Sequence, residues 1–119
     1  MPRQRIAMTP AEAAAFLAAK RRAIVGTRAP DGAPDGEPGI LDYADGDLRF
    51  TVPHGGPTGR NLALDARVVL SVEEFPSYAA IKGVTVLGRA ARVADDGAQI
   101  TFRVEEPRLE SFDFARMQR

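Results

Sequence analysis

The chain has 119 residues, 45% hydrophobic and 27% charged, with sixteen basic residues set against sixteen acidic ones. That length makes a single domain, residues 1–119, able to bury roughly two-thirds of its unfolded surface around one core, and the composition excludes a disordered chain. The charge balance removes the bulk field that a nucleic-acid or anionic-membrane binder carries, and no apolar run reaches the roughly eighteen residues of a spanning helix, so neither partner is expected.

The start, Met1 to Met8, is basic but is followed by no signal-type apolar stretch, so residues 1–8 are expected as a flexible arm and the location as cytoplasmic. Thr9-Pro10-Ala11-Glu12 then predicts a helix start, with Thr9 as cap, Pro10 at the first helical position and Glu12 completing a capping box. The alanine-rich run behind it presents Phe16 and Leu17 and ends in Lys20-Arg21-Arg22, cations that suit a helix C-terminus. Ala23 to Thr27 is a short β-branched strand, and Pro30-Asp31-Gly32 is a turn. From Ala33 to Gly39 the prolines, glycines and acids predict irregular pairing. Ile40 to Tyr43 resumes the strand, and Ala44-Asp45-Gly46-Asp47 is a hairpin turn into Leu48 to Val52.

Pro53 to Gly59 is the most unusual segment and precedes a short helix, Arg60 to Asp65. Val68 to Val72 reads as a buried strand and Glu73 to Ser77 as a loop. Ala80 to Val93 is a long strand expected to bend at Gly83 or Gly88. Asp95-Asp96-Gly97 turns into a strand from Gln99 to Val104, and Pro107 to Arg119 is a terminal helix or an extended arm that docks through Leu109, Phe112 and Phe114. Six evenly spaced strands with few helices predict a mainly β chain closed into a small barrel.

The absence of cysteine excludes disulfides, thiolate nucleophiles and cysteine-ligated metals. Fourteen arginines against two lysines read as the bias of GC-rich coding, so single arginines carry little weight. His54 is the one histidine; it lacks neighbouring carboxylates for a metal site, and no nucleophile-elbow pattern accompanies it. As a lone loop histidine it is either solvent-exposed or a ligand contact. The loop from His54 to Asn61 suits an anion: its glycines permit close backbone approach, a helix start offers free N–H groups, Arg60 can grip a phosphate and Asn61 can donate or cap. A plain Gly-Pro turn with Asn61 as cap is the alternative. Asp35, Glu37 and Asp42 read as solvated turn and edge residues rather than as an acid–base pair.

The order of these segments resembles the pyridoxamine 5'-phosphate oxidase-like split β-barrel, the flavin and deazaflavin oxidoreductase superfamily. The resemblance runs from residue 9 to about 115. It is carried by the opening helix, by Ala23-Ile24-Val25-Gly26-Thr27 with Pro30-Asp31-Gly32-Ala33-Pro34, and by Asp47-Leu48-Arg49-Phe50-Thr51-Val52-Pro53. Arg60-Asn61-Leu62 with Asp65-Ala66-Arg67-Val68, and Ile81-Lys82-Gly83-Val84-Thr85-Val86-Leu87-Gly88-Arg89-Ala90, complete it.

The resemblance implies a six-stranded antiparallel split barrel forming homodimers, with FMN or the deazaflavin coenzyme F-420 in grooves along the subunit interface. It implies that Pro38, Gly39 and Ile40 border the flavin ring and that Thr51 and Val52 meet the ring edge or ribityl chain. Thr58, Arg60 and Asn61 would then meet the phosphate, with Tyr78 approaching from the other subunit. His54 joins the cofactor loop. Two departures bear on the cofactor. Thr58 stands where many members have a lysine, weakening a phosphate site by about 1–3 kcal/mol, and the second strand is unusually acidic. A third departure is that Asp95-Asp96-Gly97 replaces a long helix.

Two functions follow. One is a small FMN- or F-420-dependent oxidoreductase with a small-molecule substrate and a nicotinamide donor, in which the cofactor does the chemistry; FMN is favoured because the loop offers little charge for a polyglutamyl tail. The other is a non-enzymatic split-barrel dimer that has lost the flavin and binds a haem through His54, an apolar metabolite, a protein partner or nothing. In either case Val84, Val86, Leu87 and the Phe112–Phe114 tail are expected to cover the dimer face.

Overall fold

The capping box closes at the start of helix α1 (Pro10–Ala18): Glu12 N donates to Thr9 Oγ1 at 3.2 Å and Thr9 N donates to Glu12 Oε1 at 2.9 Å. The computed structural model describes residues 6–77 and 80–118. Ala13, Phe16 and Leu17 form the buried face of α1. The cations Lys20, Arg21 and Arg22 fall beyond its last turn rather than within it. Lys20 Nζ instead reaches Glu74 at 2.8 Å.

Six strands follow: β1 (Arg22–Arg28), β2 (Pro34–Ala44), β3 (Asp47–Pro53), β4 (Arg67–Glu74), β5 (Lys82–Asp95) and β6 (Gln99–Asp113). They close into an all-antiparallel barrel in the order β1-β2-β3-β6-β5-β4. A second helix, α2 (Pro57–Leu64), connects β3 to β4, and a 3-10 turn (Phe114–Gln118) follows β6. Alternation supplies the core. Inward residues such as Val25, Leu41, Phe50, Val52, Leu70, Val86 and Ile100 are buried, and α1 adds Leu17. Phe50 and Phe102 sit opposite each other on β3 and β6 with stacked rings 5.3 Å apart.

Three local expectations are corrected. The Ala33–Gly39 stretch is not irregular; β2 pairs with β1 continuously from Arg28↔Pro34 to Arg22↔Ile40. Both prolines occupy even positions, and Leu41 N donates to Arg21 O, so the even-numbered nitrogens face away from β1. The β2–β3 pairing begins at Ile40↔Thr51, beyond both prolines, which therefore break no ladder bond. The segment after Pro107 continues as strand, with β6 paired to β5 as far as Lys82↔Asp113. Val84 and Val86 point into the core at 1% and 0% exposure, so they face no partner; Leu87 is half-buried on the outside.

The β5–β6 ladder breaks register opposite Gly88, where the extra residue belongs to β6. Between the pairs Leu87↔Arg108 and Arg89↔Glu105 one residue opposes two, and Glu106 there has a φ of 51°. Gly83 stays in register with Phe112. The β2–β3 turn has the two-residue type I′ form, with φ of 53° at Asp45 and 80° at Gly46. Near the chain start, Met8 N donates to Ser111 Oγ at 2.9 Å. No helix among the described residues is long and apolar enough to cross a membrane.

Candidate functional site

Helix α2 begins three residues earlier than the sequence predicts, because Pro57 is preset for the first helical position. Its cap is Gly56, which has no side chain to satisfy the first-turn N–H groups. Thr58, Gly59, Asn61 and Leu62 form the buried face. Gly59 permits this docking, since a Cβ there would stand 2.9 Å from Ile100 Cδ1 in the core.

The acids of β2 reach this helix. Thr27↔Asp35 and Val25↔Glu37 pair across β1 and β2, placing both carboxylates on the inner face at the barrel end where α2 lies. Asn61 Nδ2 donates to Asp35 Oδ2 at 2.8 Å and to Thr27 Oγ1 at 3.0 Å. Thr58 N donates to Glu37 Oε1 at 3.3 Å, and a Cβ on Gly56 would lie 2.8 Å from Glu37 Oε2. Asp35 and Glu37 are thus helix partners rather than solvated edge residues. Asp42, on the outer face, is exposed.

The other loop residues face solvent. Arg60 is exposed, with Nη1 donating to Gly55 O at 3.1 Å. His54 Nδ1 lies 3.0 Å from Asp95 Oδ1 across the β3–β6 end of the barrel. Asp95 also accepts from Gly97 N at 2.9 Å and Arg92 Nη1 at 3.3 Å. The Gly97 N–H, and after it His54, holds the Asp95 carboxyl below the usual range. Behind α2, the Arg67 guanidinium grips Asp65 at 2.6 and 3.0 Å and pulls that carboxyl far below it.

A second cluster lies on the outer face of the sheet. Pro38 and Ile40 project outward from β2, next to Ile24 of β1 and Thr51 of β3. Thr51 Oγ1 and Thr101 Oγ1 are 2.9 Å apart. A groove of about 260 Å³ runs beside them, lined by Arg22, Ala23, Ile24, Pro38, Ser71 and Glu73. Gly39 and Val52 belong to the inner face: Val52 is fully buried, and a Cβ on Gly39 would meet Val25 Cγ2 at 2.8 Å.

The residues named from sequence therefore separate into groups. Pro38, Ile40 and Thr51 share the outer face. Thr58 and Asn61 turn inward, Arg60 and His54 face solvent, and Tyr78 lies outside the described residues. Thr27, Arg22 and Ser71 join these groups without any local signal for a site: in the sequence they are a strand threonine, a cation after a helix and a strand serine. Among the described residues no group of three or more His, Cys, Asp or Glu is placed to hold a metal ion.

Comparison with known proteins agrees with this architecture. Residues 9–116 match the family model described as pyridoxamine 5'-phosphate oxidase. The conserved hypothetical protein Rv2991 from Mycobacterium tuberculosis has a TM-score of 0.85 at 21% identity, over 100% of this chain and 93% of its own. A FAD-binding protein, mll6688, from Mesorhizobium loti has a TM-score of 0.75 at 20% identity, over 90% of this chain and 96% of its own. The haem-storage protein HutZ from Vibrio cholerae has a TM-score of 0.68 at 16% identity, over 87% and 95%. At these identities the likeness is one of fold. No curated protein sequence matches the chain. With nearly the whole barrel inside the family match, the chain belongs to the pyridoxamine 5'-phosphate oxidase family.

Proposed function

We propose that two copies of this chain form a homodimer that holds a flavin-type cofactor, FMN or deazaflavin F-420 among the candidates, and acts as an oxidoreductase on a small-molecule substrate. The carrying observation is the outer face of β1 and β2, where Ile24 and Ile40 stand 52% and 50% exposed with Pro38 beside them. A flat apolar ring and a second barrel both remove such surface from water. The Thr51–Thr101 hydroxyl pair at the margin of this face gives the polar edge of a ring or a ribityl chain a partner.

The ring end of the site suits a flavin: Ile24, Pro38 and Ile40 offer exposed apolar surface, with the Thr51–Thr101 hydroxyls at its margin and Arg22 and Glu73 on the groove beside it. The phosphate end, as arranged, does not fit a dianion. Thr58 is 1% exposed, both Asn61 N–H bonds point inward, and Glu37 lies at the helix start. A bound flavin would supply the hydride or electron chemistry. The chain's own residues would orient the ring and exclude water from it.

The absorbance spectrum of the purified protein, followed by titration with FMN, FAD, riboflavin and F-420, tests the reading. Flavin bands that copurify, or micromolar binding of one of these cofactors, are expected. A colourless protein that binds none overturns it.

One observation favours haem as a second reading. With Nδ1 turned to Asp95, His54 leaves Nε2 free on a half-exposed ring, the arrangement in which a carboxylate orients an imidazole ligand. On that reading, haem titration gives a Soret shift that His54→Ala abolishes.

A further inference from the structure

We propose that Glu37 is a resident anion at the phosphate end of the candidate site, so that this chain selects against ligands bringing a phosphate dianion to the start of α2. The inference rests on the reading above, in which a flavin-type ligand extends from the outer face of β2 toward α2. It concerns which form of ligand that site admits.

A helix start draws an anion because its first N–H groups lack partners and the helix dipole is positive there. At α2 the cap is a glycine, which contributes no side-chain oxygen and leaves room for a group from elsewhere to approach the backbone. Glu37 of β2 fills that room. One carboxylate oxygen accepts the Thr58 N–H at 3.3 Å, and the other lies where a side chain on Gly56 would collide at 2.8 Å. The close approach that a glycine permits to a phosphate is here taken by a carboxylate of the same chain.

The surrounding groups do not restore the balance. Asn61 is anchored to Thr27 and Asp35, and the Thr58 side chain is buried. Arg60 contributes a guanidinium that bonds the Gly55 carbonyl. An incoming dianion would therefore meet Glu37 and Asp35 as well as Arg60, and like charges at short range in a partly buried site repel strongly. A hydroxyl group meets the same place differently, because it donates a hydrogen bond to a carboxylate. The chemistry points to a ligand that ends in an alcohol rather than a phosphate.

Riboflavin and FMN differ in that group alone and serve as probes, with inorganic phosphate as a third that needs no ring. For the wild-type chain, fluorescence titration should give riboflavin a Kd equal to or lower than that of FMN. Glu37→Ala, which empties the cradle and removes the charge, should shift the ratio toward FMN at least tenfold. Asp42→Asn, an exposed acid on the outer face of the same strand, should leave it unchanged. In thermal melts, 10 mM phosphate should raise the Tm of Glu37→Ala by about 2–4 °C over chloride of equal ionic strength, and the wild type by less than half of that.

Wild-type binding of FMN tenfold or more tighter than riboflavin overturns the proposal, and that measurement needs no variant to fold. A folded Glu37→Ala with no gain toward phosphate also overturns it. If neither flavin binds either protein while phosphate stabilises Glu37→Ala alone, the flavin reading falls and the role of Glu37 stands.

Discussion

Asn61 and Asp35 tie α2 to β2 through a 2.8 Å hydrogen bond from amide to carboxylate, and the second hydrogen of the same Nδ2 goes to Thr27 on β1 at 3.0 Å. One side-chain amide therefore holds a helix against two strands. Both acceptors lose their partner in Asn61→Leu, leaving a part-buried charge and a buried hydroxyl unmatched. A loss of about 2–3 kcal/mol is expected, against about 1 kcal/mol for Asp35→Asn, which leaves a neutral acceptor in place. Urea denaturation of the two variants checks the ranking; a loss in Asp35→Asn as large as in Asn61→Leu would show that the tie depends wholly on the charge of Asp35, and no loss that the charge plays no part.

Gly88 is required by the β6 bulge it faces. A Cβ there would stand 2.6 Å from Val104 Cγ1 and 2.9 Å from the Glu105 carbonyl oxygen, and a backbone carbonyl cannot rotate aside as a side chain can. Gly88→Ala is expected to cost about 1–3 kcal/mol through overpacking. Gly26→Ala is the contrast, also in mid-strand but with nothing nearer than 3.5 Å. It should be neutral or slightly stabilising, since alanine loses less backbone entropy than glycine. Thermal melts of the pair separate steric need from strand propensity.

What the sequence made legible was local. The Thr9–Glu12 box and the Asp45-Gly46 turn each depend on residues a few positions apart. The barrel followed from the order of such pieces. The length of β6 was not legible, because residues beyond Pro107 become strand through pairing with β5, and their own composition suits a helix or an arm equally. From sequence alone the acids of β2 read as solvent-facing for a similar reason. Which side of a strand a residue faces depends on register, and a shift of one position would have sent Asp35 and Glu37 outward. Neither Thr27–Asn61 nor His54–Asp95 leaves any trace in the spacing of the chain, as 34 and 41 positions separate the partners.

The β5–β6 turn should make the protein acid-sensitive. Asp95 is held below its usual pKa by the Gly97 N–H and then by His54, and Asp96 by the N–H groups of Gln99 and Ala98. A carboxyl whose pKa is lowered by folding contributes its full stabilisation above the unfolded value of about 3.9, and loses it as pH falls through the folded value. Tm should therefore decline below about pH 4, more steeply in the wild type than in Asp95→Asn. At neutral pH the variant should melt lower, because the amide makes a weaker acceptor for Gly97. Parallel acid limbs for the two proteins would contradict the assignment.

The apolar outer face gives the last expectation. Ile24 and Ile40 are about half exposed, and Val84 and Val86, named from sequence for the dimer face, are core residues. Leu64 on α2 and Val93 on β5 are exposed singly, whereas Ile24 and Ile40 share one sheet face with Val69 of the neighbouring β4, and that face is the one expected to be covered when barrels associate. Burying the open half of an isoleucine is worth about 1 kcal/mol, and a two-fold axis presents each residue twice. Replacing both with glutamate thus removes about 4 kcal/mol of association, roughly a thousandfold in Kd, before charge repulsion is added. Sedimentation should show the Ile24→Glu, Ile40→Glu chain as a monomer at concentrations where the wild type is a dimer. Its barrel should stay folded, because neither side chain belongs to the core. Val93→Glu, at an exposed aliphatic on the β5 bulge, should leave the dimer intact. Loss of the dimer in that control instead would move the interface to the β5–β6 side.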